Sequence, residues 1–129
     1  MKQVFAIGDT QQFRRVVRTE DLAAFETGAV HAVYSTFAIT RDAEWAGRLF
    51  VLEMKEADEE GIGTFVEVKH NSPAFLGETV VFTATLTRVE KNEVVCSFTA
   101  TCGSRVIATG ATGQKILKKE RLQQLLQPV

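Results

Sequence analysis

The sequence predicts an α+β fold in which a curved antiparallel sheet wraps around one long central helix. Three observations carry this. One helical stripe runs through the first half at Ala43, Ala46, Gly47, Phe50, Met54 and Ala57. The second half is strand after strand, with apolar and polar residues alternating over 78–89 and 94–101. Long antiparallel strands need one face covered, and a single long helix is the cover available.

The elements follow in order. Asp9 to Thr19 reads as a first strand with Phe13, Val16 and Val17 as its apolar residues. Thr19 reads as an N-cap, because Glu20 and Asp21 fall in the first turn, where a helix N-terminus favours negative charge. The short helix expected there runs through Leu22, Ala23, Ala24 and Phe25 and stops near Gly28. Ala29 to Ala38 is apolar without a clean period. The long helix is expected over Thr40 to Glu59 and buried on most sides. Small residues at 43, 46 and 47 let another backbone approach it, and Gly61 ends it. Gly63 to His70 starts the strands, with Thr64, Val66, Val68 and His70 on one face, the face expected to be buried. Glu78 to Val89 follows, with Val80, Phe82, Ala84 and Leu86 sharing a face. Glu90 to Glu93 is a polar hairpin turn. Val94 to Thr101 points Val94, Cys96, Phe98 and Ala100 one way, and Cys102-Gly103-Ser104 turns the chain again. Arg105 to Leu117 closes a meander of four strands, its Gly110 and Gly113 marking a bulge, a bend or a close approach. Residues 117–127 read as a short amphipathic helix. This arrangement resembles the hotdog fold. Its one helix covers only part of the sheet, so such domains pair into two-fold homodimers, or dimers of dimers.

Composition excludes several classes of function. The 129 residues fit one domain, 1–129, with 45% hydrophobic and 24% charged residues. A net charge of −1 gives no basic surface for nucleic acid and no cationic helix for a membrane. The apolar run at the N-terminus spans only Val4 to Ile7, too short for a signal-peptide core or a membrane span, so a cytoplasmic protein is expected. Two cysteines and two histidines at scattered spacings match no zinc pattern, and no metal is expected. Cys96, on the apolar side of a strand, reads as a small hydrophobe.

On residues alone, each chemical candidate has two readings. His70 is a hydrogen-bonded core histidine or a general acid/base, since imidazole titrates near neutrality. Glu44 is one half of a helical pair with Arg48, four residues on, or an active carboxylate in the most apolar part of the helix. Thr36, after Ser35, is a helix cap or a site hydroxyl. Tyr34, His31 and Gln114 read as structural. No GxSxG elbow, placeable Cys–His pair or phosphate loop is present.

The block from Thr36 to His70 resembles the hotdog thioesterases related to fluoroacetyl-CoA-specific thioesterase. Thr36 is followed eight positions later by Glu44-Trp45-Ala46, then by the Gly61–Thr64 turn, with His70 lying 26 positions after Glu44. Weaker similarity extends through Ile7-Gly8-Asp9, Gly77, Val80 and Thr109-Gly110. The resemblance implies acyl-CoA hydrolysis by Thr36, Glu44 and His70, with CoA as part of the substrate and no cofactor. It places Gly63 at the acyl group, where its N–H would hold a developing oxyanion. It places Gln114 where the family carries a substrate-contacting arginine, and Thr27 and Val30 where it carries lid aromatics. A neutral amide and two small side chains there imply a short acyl group other than fluoroacetyl. Competing readings are a non-catalytic acyl-CoA-binding module and a hotdog hydratase, whose acid/base pair is incomplete here because Asp42 and Glu44 have no histidine beside them.

Overall fold

A computed structural model describes residues 1–128. Strand β1 (Thr10–Val16) is followed by a single 3-10 turn (Thr19–Asp21), a hairpin of β2 (Leu22–Phe25) and β3 (Gly28–Tyr34), and helix α1 (Thr36–Met54). Strands β4 (Glu59–His70), β5 (Thr79–Glu90), β6 (Glu93–Cys102) and β7 (Arg105–Lys118) follow, and α2 (Lys119–Leu125) is the last element among the described residues. The main sheet has the order β1-β5-β6-β7-β4, antiparallel throughout, and α1 packs on one of its faces.

Alternation on the strands fixes which face α1 covers. Val80, Phe82, Ala84 and Leu86 of β5 and Val94, Cys96, Phe98 and Ala100 of β6 are all buried. They meet Ile39, Ala43, Ala46, Phe50, Val51 and Met54 from the helix. Phe82 lies between Phe98 and Tyr34, with ring centroids 6.2 and 6.4 Å away, tilted against the first and edge-on to the second. Gly47 lets the helix lie close to β7: a Cβ there would stand 2.5 Å from Thr112 Oγ1.

Several expectations need correction. The segment Leu22–Phe25 is a strand, not a short helix. Arg18 holds the N-cap position of the turn before it, and Asp21 carries the reciprocal hydrogen bonds. Pairing with β3 absorbs the apolar run that had no clean period. The long helix starts at Thr36 and stops at Met54, because Ser35 caps it through Ala38 N–H and Glu59 to Gly61 are already paired with β7. It is open on one side, with Trp45 and Leu52 exposed. The last four strands are not one meander: β5-β6-β7 is, but β4 lies beyond β7 at the sheet edge. The face expected to be buried on β4 is half-buried at Val66, Val68 and His70 and exposed at Thr64.

Gly110 shows what the glycines of β7 are for. A Cβ there would collide with the Glu67 carbonyl across the β4–β7 ladder. Backbone cannot swing aside as a side chain can. Gly110→Ala is therefore expected to lower stability by about 1–3 kcal/mol, the usual cost of overpacking, as read from urea unfolding.

Candidate active site

Two polar pairs stand at the junction of α1 and β4. The first joins the start of the helix to the end of the strand. Thr36 Oγ1 and His70 Nδ1 are 3.0 Å apart. The ring's other nitrogen, Nε2, is sealed from solvent and has no hydrogen-bond partner among the described residues. A buried polar atom without a partner is costly.

The second pair joins the middle of the helix to the start of the strand. Gly63 lies directly against the Glu44 carboxylate, so close that a Cβ at 63 would overlap Oε1. Of the two readings of Glu44, the helical pair with Arg48 does not form. Arg48 turns to Glu60 (2.8 Å) and to the Gly61 carbonyl (3.2 Å). Among the described residues, the Glu44 carboxylate makes no side-chain hydrogen bond or ion pair. Gly63 also opens a β-bulge: Gly63 pairs with Gln114 and Phe65 with Gly113, leaving Thr64 as the extra residue.

Within one chain the two pairs are far apart. Thr36 and Glu44 are separated by about 12 Å of helix rise. Gly63 and His70 lie at opposite ends of a stretch of strand roughly 20 Å long. Thr36 and His70 are thus brought together, Glu44 and Gly63 are brought together, and the two sets do not meet in the single chain.

The remaining predicted residues sit around this frame. Gln114 is buried beneath α1 at 2% exposure, and its side-chain amide donates to the Glu44 carbonyl oxygen at 3.3 Å. Gly47 and Gly61 flank that amide; a Cβ on either would lie 3.6 Å from it. Val30 and His31 are exposed on β3, and Thr27 is at the hairpin turn. The hairpin folds over the first turn of α1, where Phe25 meets Phe37 edge-on with centroids 6.0 Å apart. Tyr34 is fully buried. Burial pushes the Cys96 thiol up to about 11, as befits a packed hydrophobe rather than a nucleophile.

Sequence reasoning missed an ionic network beside the first pair. Asp21 and Asp42 are 0% and 1% exposed. Arg15 grips Asp42 through two hydrogen bonds of 3.1 Å, and Arg18 grips Asp21 at 2.9 and 3.0 Å. Arg41 bridges the two carboxylates, and the Tyr34 hydroxyl donates to Asp42. Burial alone would raise both carboxyls, but the arginine hydrogen bonds outweigh it and hold them below the usual carboxylate range. Burial, helped by the Asp42 carboxylate, pushes the Tyr34 hydroxyl well above the ordinary tyrosine range. The available signal was Asp42 itself, a charge lying on the apolar stripe between Ile39, Ala43 and Ala46.

The family described as fluoroacetyl-CoA-specific thioesterase matches residues 17–120. A hypothetical protein of Thermus thermophilus, a thioesterase superfamily member, is 34% identical with a TM-score of 0.91, over 95% of this chain and 91% of that one. A hot-dog-like protein from Thermanaerovibrio acidaminovorans is 24% identical with a TM-score of 0.86, over 95% and 90%. A variant of fluoroacetyl-CoA-specific thioesterase in complex with fluoroacetate and CoA is 22% identical with a TM-score of 0.84, over 92% and 99%. The last two likenesses concern the fold. No curated protein sequence matches.

Proposed function

We propose that this chain, which belongs to the fluoroacetyl-CoA-specific thioesterase family, hydrolyses an acyl-CoA thioester to the free acid and CoA. The reading carries further to a short acyl group and to a site built from Thr36, His70, Glu44 and Gly63. The observation that supports it best is the His70 ring, held at Nδ1 by Thr36 with a sealed, unpartnered Nε2. That nitrogen is free to carry a proton. Water adds to the thioester carbonyl, the C–S bond breaks, and His70 moves the proton from the attacking water to the departing CoA thiolate. Where Glu44 attacks first, the C–S bond breaks as the mixed anhydride forms and the departing thiolate takes a proton from protonated His70; His70 then takes a proton from the water that cleaves the anhydride and releases the Glu44 carboxylate. Otherwise Glu44 orients the water or the histidine. The Gly63 N–H is the candidate oxyanion donor.

The reading includes a homodimer, because a single chain keeps the two pairs apart. Strand β4 is a 12-residue edge strand, and a long uncovered edge is a template for pairing with another chain. Antiparallel pairing of two β4 strands would bring the Gly63 end of one copy beside the His70 end of the other. The composite site would then take Thr36 and His70 from one protomer and Glu44 and Gly63 from its partner.

A panel of acyl-CoA thioesters assayed for released thiol tests the activity. Turnover of short acyl groups is expected, and intact acyl-CoA bound without turnover would favour the binding-module reading instead. The Glu44–Gly63 contact has its own test. Glu44 is the mobile end of a side chain, so Gly63→Ala is expected to fold normally while turning the carboxylate away. Hydrolysis should fall about 10- to 100-fold, as misplaced catalytic groups cost. Unchanged turnover would remove Glu44 from the site.

A further inference from the structure

Arg41 holds together a buried network that no step of the proposed reaction uses. Its Nη2 donates to Asp21 Oδ1 at 2.8 Å and to Asp42 Oδ2 at 3.1 Å, and its Nε donates to Asp42 Oδ1 at 3.1 Å. Each carboxylate residue grips the chain just before Thr36. Asp42 accepts the Tyr34 hydroxyl. The Asp21 backbone carbonyl accepts the Ser35 N–H at 2.8 Å, and Ser35 caps α1. The next residue is Thr36, whose hydroxyl meets His70.

We propose that Arg41 is a positioning residue: by tying Asp21 to Asp42 it fixes the first turn of α1 and sets the Thr36 hydroxyl on His70 Nδ1. This rests on the reading of Thr36 and His70 as part of the catalytic site. A guanidinium is a rigid planar fork that bridges two carboxylates in one geometry, which a flexible ammonium cannot reproduce. The turn bearing Asp21 and the helix turn bearing Asp42 both hold the residues just before Thr36. A shift of either carboxylate therefore moves the hydroxyl relative to the ring. The Arg41 side chain is 48% exposed, so its replacement removes little packing.

The test compares Arg41→Gln and Arg41→Lys with Leu86→Ala, a core variant on β5 away from the network. Two quantities are read: steady-state kinetics on an acyl-CoA that the unaltered protein turns over, and the NMR signals of the His70 ring. Arg41→Gln is expected to lower kcat about tenfold or more with KM within about twofold, because the loss is of alignment rather than of substrate binding. The His70 signals should move with it, and Arg41→Lys should restore only part of both. Leu86→Ala should lower the melting temperature while leaving kcat and the His70 signals in place. Wild-type kcat and His70 signals in Arg41→Gln would overturn the proposal, as would Leu86→Ala reproducing both changes. If the unaltered protein cleaves no acyl-CoA, the functional reading falls, and the His70 signals alone decide the positioning role.

Discussion

His70→Ala is expected to lose hydrolysis by about 10²- to 10⁴-fold, the usual contribution of a positioned general acid/base, and to remain folded. The ring is half-buried at the end of an edge strand, and its one hydrogen bond is to an exposed threonine. Truncation therefore opens no large core cavity. The measurement is single-substrate kinetics beside a thermal melt. A drop in turnover with an unchanged melt locates the effect in chemistry. A variant that keeps more than about a tenth of the activity would place the proton transfer elsewhere. Mixing variants tests the composite site. Glu44→Ala and His70→Ala, each inactive alone, are expected to regain activity together if one protomer supplies each half.

Asp42→Ala is expected to be the most destabilising single change in the polar part of the molecule. Its carboxylate receives hydrogen bonds from Arg15, Arg41 and Tyr34 in a position closed to water. Removing one partner of a buried charge pair leaves the other charges desolvated, at a cost of about 3–5 kcal/mol. For a chain of this size that corresponds to a fall in melting temperature of roughly 10–20 °C. The same contacts set the pH dependence. Asp42 and Asp21 are held below the usual carboxylate range in the folded state. Their contribution is fully present above the unfolded carboxyl value near pH 4 and is lost as pH falls through the lower folded values. Each tenfold difference in proton affinity between the two states is worth about 1.4 kcal/mol. Melts between neutral pH and pH 2 should show Asp42→Ala with a shallower acid loss than the unaltered protein. Parallel curves would mean that the network carries little of the acid sensitivity.

The fold was legible wherever one local rule decided the outcome. Alternation along β5 and β6 named the core face residue by residue, since side chains on a strand point alternately to opposite sides. Leu22–Phe25 was not legible, because two alanines between a leucine and a phenylalanine suit a short helix as well as a strand. Only the pairing of that segment with β3, which lies later in the chain, selects the strand. The end of α1 was misplaced for a similar reason. Glu59 to Gly61 carry no strand pattern of their own and become strand by pairing with β7.

By itself the sequence determined the α+β class, the covered sheet face and the spacing of Thr36, Glu44, Gly63 and His70, because periodicity and spacing are properties of the chain. Tertiary structure decided what those residues touch. It turned Arg48 away from Glu44 and left that carboxylate against Gly63. It set Thr36 on His70 and separated that pair from the other by the length of a strand. It also drew Asp21 and Asp42, 21 positions apart, onto one guanidinium. Each of these is a contact between segments distant in sequence, chosen by competition among all the partners that folding brings within reach, and no local pattern records its outcome.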